Sequence, residues 1–216
     1  MKQIRVPHTA AIDKHSSLTD ISDFLDTLEK NAVGHHLWPV SATKPEVTFA
    51  IAHHSDCLFL KYYVSESALR AVCLKPNEPV YQDSCVEFFV AFDKDKYYYN
   101  LEFNCLGTCL LGYGNGRNDR QLLPVDVITQ IKHLAVIQSA SSTLVFPSYT
   151  WQLTLMIPIG VFTNHRYSSL QGVKSRTNFY KCGDELPEPH FLAWSEIDAP
   201  APDFHLPEFF GQLDFE

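Results

Sequence analysis

The sequence contains no uninterrupted apolar run approaching the roughly 18 residues of a membrane-spanning helix. Its opening, MKQIRVPHTAAIDKHSS, has no apolar core of the kind a secretory signal carries. The chain therefore reads as soluble and cytoplasmic as given, or as exported if a leader has been trimmed. Basic residues are scarce: 17 Lys and Arg stand against 25 Asp and Glu, a formal net charge of -8, with no basic run. That balance argues against nucleic acid and anionic membrane as partners. There are six cysteines but no CxxC pair and no compact spacing, which argues against a small disulfide scaffold. Cys57, Cys73, Cys85, Cys105, Cys109 and Cys182 mostly sit in apolar, strand-like runs and are expected to be buried free thiols. Internal repeats, low-complexity tracts and linkers are also missing. The Pro-rich stretch from Pro187 to Pro207 is expected to be an ordered surface loop.

What is present is apolar and aromatic. With 216 residues and 45% hydrophobic content, the chain can build one core, and a single domain over 1–216 is expected. Residues 1–45 would contribute a peripheral strand, a helix and a loop. The helix is marked by Leu18, Ile21, Phe24, Leu25 and Leu28 on one face, with Ser and Thr before them and Gly34 as a stop. After it the chain is mostly β. VTFAIAH, CLFLKYYV, SCVEFFVAF, KYYYNLEFN, TCLLGYG, VITQIKHLAVI and TWQLTLMIP are rich in aromatic and branched residues. Turn chemistry such as HHSD, DKDK and GNGRND separates them. The fold class is all-β, an antiparallel sandwich or barrel with one short N-terminal helix.

One stretch does not fit a simple strand. In QDSCVEFFVAF, Glu87 stands mid-strand with Asp83 on the same face. The four-residue turn DKDK sets a hairpin register in which Val86, Phe88, Val90 and Phe92 face Phe103, Leu101, Tyr99 and Tyr97, a core surface. The opposite face pairs Cys85 with Asn104, Glu87 with Glu102, Phe89 with Asn100 and Ala91 with Tyr98. Directly opposed glutamates are destabilising unless a cation, a shared proton or a donor compensates them. The alternatives are a solvated outer face, or an ion pair with Arg117, Lys132, Arg176 or Lys181.

On these motifs the chain resembles the family 9 carbohydrate-binding modules and their DOMON-like relatives, from about Val47 to the C-terminus. VTFAIAHHSDCLFLKYYVSES is similar to that family's second hairpin, YQDSCVEFFVAF to its aromatic-x-x-D-x-V-E-x-F strand, and YYYNLEFNCLGT to the next strand with its N-x-x-G-T turn. TWQLTLMIPIGVF resembles the W-x-x-E-x-x-IP segment. TNFYKCGD, AWSEIDAP and FHLPEFFGQLDFE correspond to the closing elements. The resemblance implies a jelly-roll or immunoglobulin-like sandwich that holds a mono- or oligosaccharide without doing chemistry on it, in association with carbohydrate catabolism and a separate glycoside hydrolase. Pyranose C–H faces pack on aromatic rings while carboxylates and amides bind hydroxyls.

Carried over by motif, Glu87 and Asn104 match polar site positions. The stacking tryptophans fall at Tyr81 (or Val80, if Cys85 is an insertion) and at Phe204. Glu102 stands where sugar-binding members place an arginine, and Thr154 where a glutamate is common. The expected ligand-binding set is Tyr81, Glu87, Glu102, Asn104, Lys181, Trp194, Phe204 and His205. Trp194 also suits a core or edge aromatic, and His205 a loop histidine satisfied by backbone groups.

Two other functions compete. Glu87 and Glu102 would suit a retaining glycosidase if they flanked a scissile bond. Haem, bound by some DOMON-like relatives, would need an axial ligand such as Met156, the only internal methionine. No cofactor is expected. The pairs His35–His36 and His53–His54 are adjacent rather than convergent, so no metal ligand set is assigned. The turns DKDK and NGRND offer oxygens for a structural calcium but match no defined calcium loop. GYGNGRND lacks the helix and Lys-Ser/Thr of a phosphate loop and reads as a hairpin turn.

Overall fold

The computed structural model describes residues 2–38, 44–139 and 149–216. Its strands in chain order are β1 (Gln3–Val6), β2 (Asn31–Ala32), β3 (His35–Leu37), β4 (Glu46–His54), β5 (Cys57–Glu66), β6 (Cys85–Phe92) and β7 (Tyr98–Asn104). Next come β8 (Cys109–Gly114), β9 (Gln121–Leu122), β10 (Lys132–Ser139), β11 (Tyr149–Pro158), β12 (Lys174–Cys182), β13 (Phe191–Ala193) and β14 (Gly211–Phe215). They form two sheets packed face to face. One runs β1-β14-β12-β6-β7-β8-β9, with β13 and β3 added beside β12; the other runs β10-β11-β5-β4-β2. Among the described strands all pairings are antiparallel except β1 with β14; an isolated parallel bridge joins His8 to His53.

The sheets are joined by aromatic stacking. Phe49 of β4 lies on Phe179 of β12 at 3.8 Å between ring centroids, and Phe179 stacks in turn on Phe88 of β6 at 5.1 Å. Burial of such rings supplies about 2–3 kcal/mol each. Tyr62 of β5 donates its hydroxyl hydrogen to the backbone carbonyl of Glu87 at 2.7 Å, tying the second sheet to the middle of β6.

The hairpin register read from the DKDK turn holds from Cys85–Asn104 through Glu87–Glu102 to Val90–Tyr99. It fails at the turn. Tyr97, expected on the core face, is 45% exposed and stacks on Tyr113 outside, because Asp93 at φ 51° twists the chain out of the ladder.

Ser17 caps α1 (Leu18–Asp26), its hydroxyl accepting from the Asp20 N–H at 3.1 Å. The helix ends at Thr27, well before Gly34. Ile21 and Leu25 pack on Ala50, Ala52, Phe59 and Met156 across the outer face of β4, β5 and β11. Met156 is thus a packing residue beneath a helix. The segment VITQIKHLAVI is not all strand. Pro124 has no N–H for a ladder, and the Thr129 N–H closes a short helix α2 (Val125–Ile128) on Val125 before β10 begins.

The Pro-rich stretch is more than a surface loop. It contains β13, and Leu192, Ala193, Trp194, Ile197 and Phe204 are buried. This segment roofs the second face of the large sheet, which explains why all eight residues of β6 are buried.

Candidate functional site

Between that roof and the sheet lies a cavity of about 320 Å³. Its floor is Glu87 of β6, Glu102 of β7 and Cys182 of β12, brought side by side by the ladders. Tyr81, Phe191 and Phe204 supply aromatic walls, and Arg117, Arg120, Asp184 and His205 supply polar ones.

The opposed glutamates are compensated by a residue that sequence reasoning did not select. Arg120, from the hairpin between β8 and β9, donates Nη1–H to Glu102 Oε1 at 3.0 Å. The second donor to that oxygen is Asn100 Nδ2 at 2.8 Å. Two glycines make this approach possible. A Cβ on Gly112 would sit 2.5 Å from Asn100 Oδ1 and 3.2 Å from Arg120 Cδ, and one on Gly114 would sit 2.5 Å from Arg120 Cα. The signal was therefore present in GYGNGRNDR: alternate residues without side chains on one face of β8, followed by a basic residue returning over them.

Arg120 also reaches Nε2 of His205 at 2.9 Å, while Nδ1 of that ring lies 2.8 Å from the Tyr98 hydroxyl. A guanidinium cannot accept, so Nε2 accepts and neutral His205 carries its proton on Nδ1, donating it to Tyr98. Burial, reinforced by Arg120 and Arg117, pushes the His205 pKa down to about 3.

Glu87 is 3% and Glu102 2% exposed. Burial raises the Glu87 carboxyl well above its usual range, and the neighbouring Glu102 adds to this. Burial also raises Glu102, with Arg120 opposing. Asp184 is raised by burial against the pull of Arg117. Glu87 Oε1 lies 3.1 Å from the Cys182 Sγ, which donates to it. Glu102 Oε2 is buried with no hydrogen-bond partner among the described residues.

Five of the eight expected residues line this cavity: Tyr81, Glu87, Glu102, Phe204 and His205. Three are placed elsewhere. Asn104 is spent on its own turn and on Asp83: its oxygen accepts from the N–H groups of Leu106 and Thr108, and Nδ2 donates to Cys73 O and to Asp83. Lys181 points between the sheets, 2.9 Å from Glu66 Oε2, and donates to His190 Nε2. Trp194 belongs to the core between the sheets and meets Phe179 edge-on. Lys132, Arg176 and Lys181, candidates for neutralising the glutamates, are engaged at other places or on the other sheet. Trp38, read as structural, braces the wall from behind against Phe204 and Phe191, with its indole N–H on Ala199 O at 2.6 Å.

A family model described as carbohydrate-binding family 9 matches residues 19–215. The chain belongs to that family. Among solved structures, a candidate carbohydrate-binding protein from Bacteroides uniformis ATCC 8492 is 35% identical, covers 100% of this chain and 99% of its own, and superposes with a TM-score of 0.85. Two family 9 module structures from Caldicellulosiruptor kristjanssonii share the fold. The one solved with glucose is 14% identical (TM-score 0.58; 100% of this chain, 96% of that one), and the one with cellotriose is 12% identical (TM-score 0.57; 100% and 94%). No match is found among curated proteins. Where the resemblance implies an arginine, this chain has Glu102, and the guanidinium beside it is Arg120, from the neighbouring hairpin.

Proposed function

We propose that this chain is a non-catalytic sugar-binding module whose ligand occupies the cavity over Glu87 and Glu102. The observation that carries the reading is the unpartnered, buried Glu102 Oε2 set beside Arg120 and beneath aromatic walls. A buried acceptor without a donor costs about 1–3 kcal/mol, and a ligand hydroxyl recovers it. The cavity is at the small end of the range of about 300–1,000 Å³ for ligand sites, matched to a sugar end rather than to the flank of a long chain. Tyr81 and Phe191 keep part of their rings exposed for packing on a pyranose face. Phe204 is already stacked on Tyr180 at 4.2 Å and serves as a wall. The relatives solved with glucose and cellotriose support a sugar as the ligand class. A module of this kind would work beside a separate glycoside hydrolase in carbohydrate catabolism.

A hydrolase mechanism is not favoured, because Glu87 and Glu102 are direct neighbours across one ladder. They present parallel side chains to one side of a ligand, whereas glycosidase carboxylates flank the scissile bond. Calorimetric titration with glucose, cellotriose and a panel of mono- and disaccharides and polysaccharide ends tests the reading. Saturable binding is expected for at least one reducing or non-reducing end, and heat-free mixing with every sugar would contradict it.

A further inference from the structure

The floor of the cavity also holds two thiols that sugar binding does not need. Cys85 and Cys182 are direct partners across β6 and β12, and Glu87 follows two residues along β6 on the same face. The two sulfurs and a Glu87 oxygen all lie within 4.8 Å of one another, and the Cys182 Sγ to Glu87 Oε1 separation is 3.1 Å. All three side chains are buried, and among the described residues none forms a salt bridge with a Lys or Arg. Both thiols are free. Cys182 and Glu87 also line the cavity, so the cluster is reachable from it.

We infer that Cys85, Cys182 and Glu87 form a binding site for a thiophilic divalent cation of the zinc class, with its fourth coordination position open to the cavity. The donor set decides the class: two thiolates select zinc, cadmium or cobalt over calcium or magnesium. The spacing fits as well. With metal–sulfur bonds of about 2.3 Å and a metal–oxygen bond of about 2.1 Å, a tetrahedral site separates its donor atoms by about 3.6–3.8 Å. The existing cluster needs side-chain adjustments of an ångström or less per donor, not a new backbone. Binding replaces each S–H bond by an S–metal bond and releases the two thiol protons, along with any proton on Glu87. Two thiolates and one carboxylate then leave one net negative charge around a divalent ion, with Arg120 near enough to stabilise Glu87 in its charged form. Water or a ligand hydroxyl would fill the open position. Of the remaining thiols, Cys57 is beneath α1, Cys105 and Cys109 are in the core between the sheets, and Cys73 contributes its N–H to Asp83.

The test does not depend on any sugar. Reduced, metal-free protein is titrated anaerobically with Co²⁺ and followed by near-ultraviolet absorption. One equivalent should produce a thiolate-to-cobalt charge-transfer band, bleached by one equivalent of Zn²⁺, with affinity that strengthens as pH rises. The C85S/C182S variant should lose the band, and E87Q, which keeps both thiols, should retain it with affinity weakened about tenfold or more. A wild-type protein that gives no charge-transfer band overturns the inference, whatever becomes of the variants. So does a band of full intensity in C85S/C182S, which would place the metal on other cysteines.

Discussion

Arg120 reaches Glu102 across two glycines. Its guanidinium donates at 3.0 Å while its stem lies over Gly112 and its backbone over Gly114. The carboxyl pair on β6 and β7 is tolerated because a hairpin beyond β8 delivers a cation to one member. Removing that cation leaves a buried carboxylate uncompensated. Arg120→Ala is therefore expected to destabilise the fold by about 3 kcal/mol, read by urea denaturation. Adding Glu102→Gln to that variant should recover much of the loss, because the orphaned charge is gone. If the double variant is no more stable than the single one, the ion pair is not what holds this corner.

Glu87 should impose a pH dependence of definite sign. Its folded-state pKa is raised above the ordinary 4.5 by burial and then by Glu102, so the folded protein holds this proton more tightly than the unfolded chain. The associated stability is fully present below the ordinary value and is lost as pH rises toward the folded one. Each unit of elevation is worth about 1.4 kcal/mol. Glu87→Gln should thus flatten the fall of the thermal midpoint as pH rises above the ordinary carboxylate range, with its advantage over wild type growing with pH. A variant that gains nothing at the alkaline end would show Glu87 to be solvated.

Asn104 is expected to matter for stability and not for ligand. Burial alone would raise Asp83, but hydrogen bonds from Asn104, from the N–H groups of Cys73 and Val72, and from Arg70 overcome this and hold its carboxyl below the ordinary range. Asp83 therefore contributes stability above its unfolded pKa that is lost as pH falls through the folded one. Asn104→Ala removes one of these donors and leaves the N–H groups of Leu106 and Thr108 unpaired, a loss of about 3 kcal/mol. Sugar affinity of the folded variant should match wild type in calorimetry; a large loss of affinity would return Asn104 to the site.

The hairpin register was legible because its turn is short and its pattern strictly alternates, so counting from Asp93 fixed which residues shared a face with Glu87. Lys181 and Trp194 were not placed correctly because each sits where the sheet changes neighbours. Lys181 follows Tyr180 on β12, a strand with two buried faces, and period-two reading cannot say which is the ligand side. Its true partners, Glu66 and Trp151, come from the other sheet, a contact that no local pattern encodes. Arg120 was missed for a related reason: a basic residue in a Gly-rich turn looks solvated until the strand beneath it is known to be bare.

Lys181 gives the fourth prediction. Lys181→Met removes the cation from a buried network in which Glu66 also accepts from Trp151 Nε1 at 2.6 Å. A cost of about 3–5 kcal/mol is expected, with sugar affinity unchanged because the side chain lies on the opposite face of β12 from Cys182. Unchanged stability, or affinity lost in a fully folded variant, would contradict this placement.

The most direct test of the central claim is calorimetric titration of wild type and Glu87→Ala with the sugar that wild type binds best, alongside the thermal midpoints of both. The variant is expected to keep or raise its midpoint and to lose affinity at least tenfold. Equal affinity in a folded Glu87→Ala protein would contradict that claim and place the sugar away from the floor built by Glu87 and Glu102.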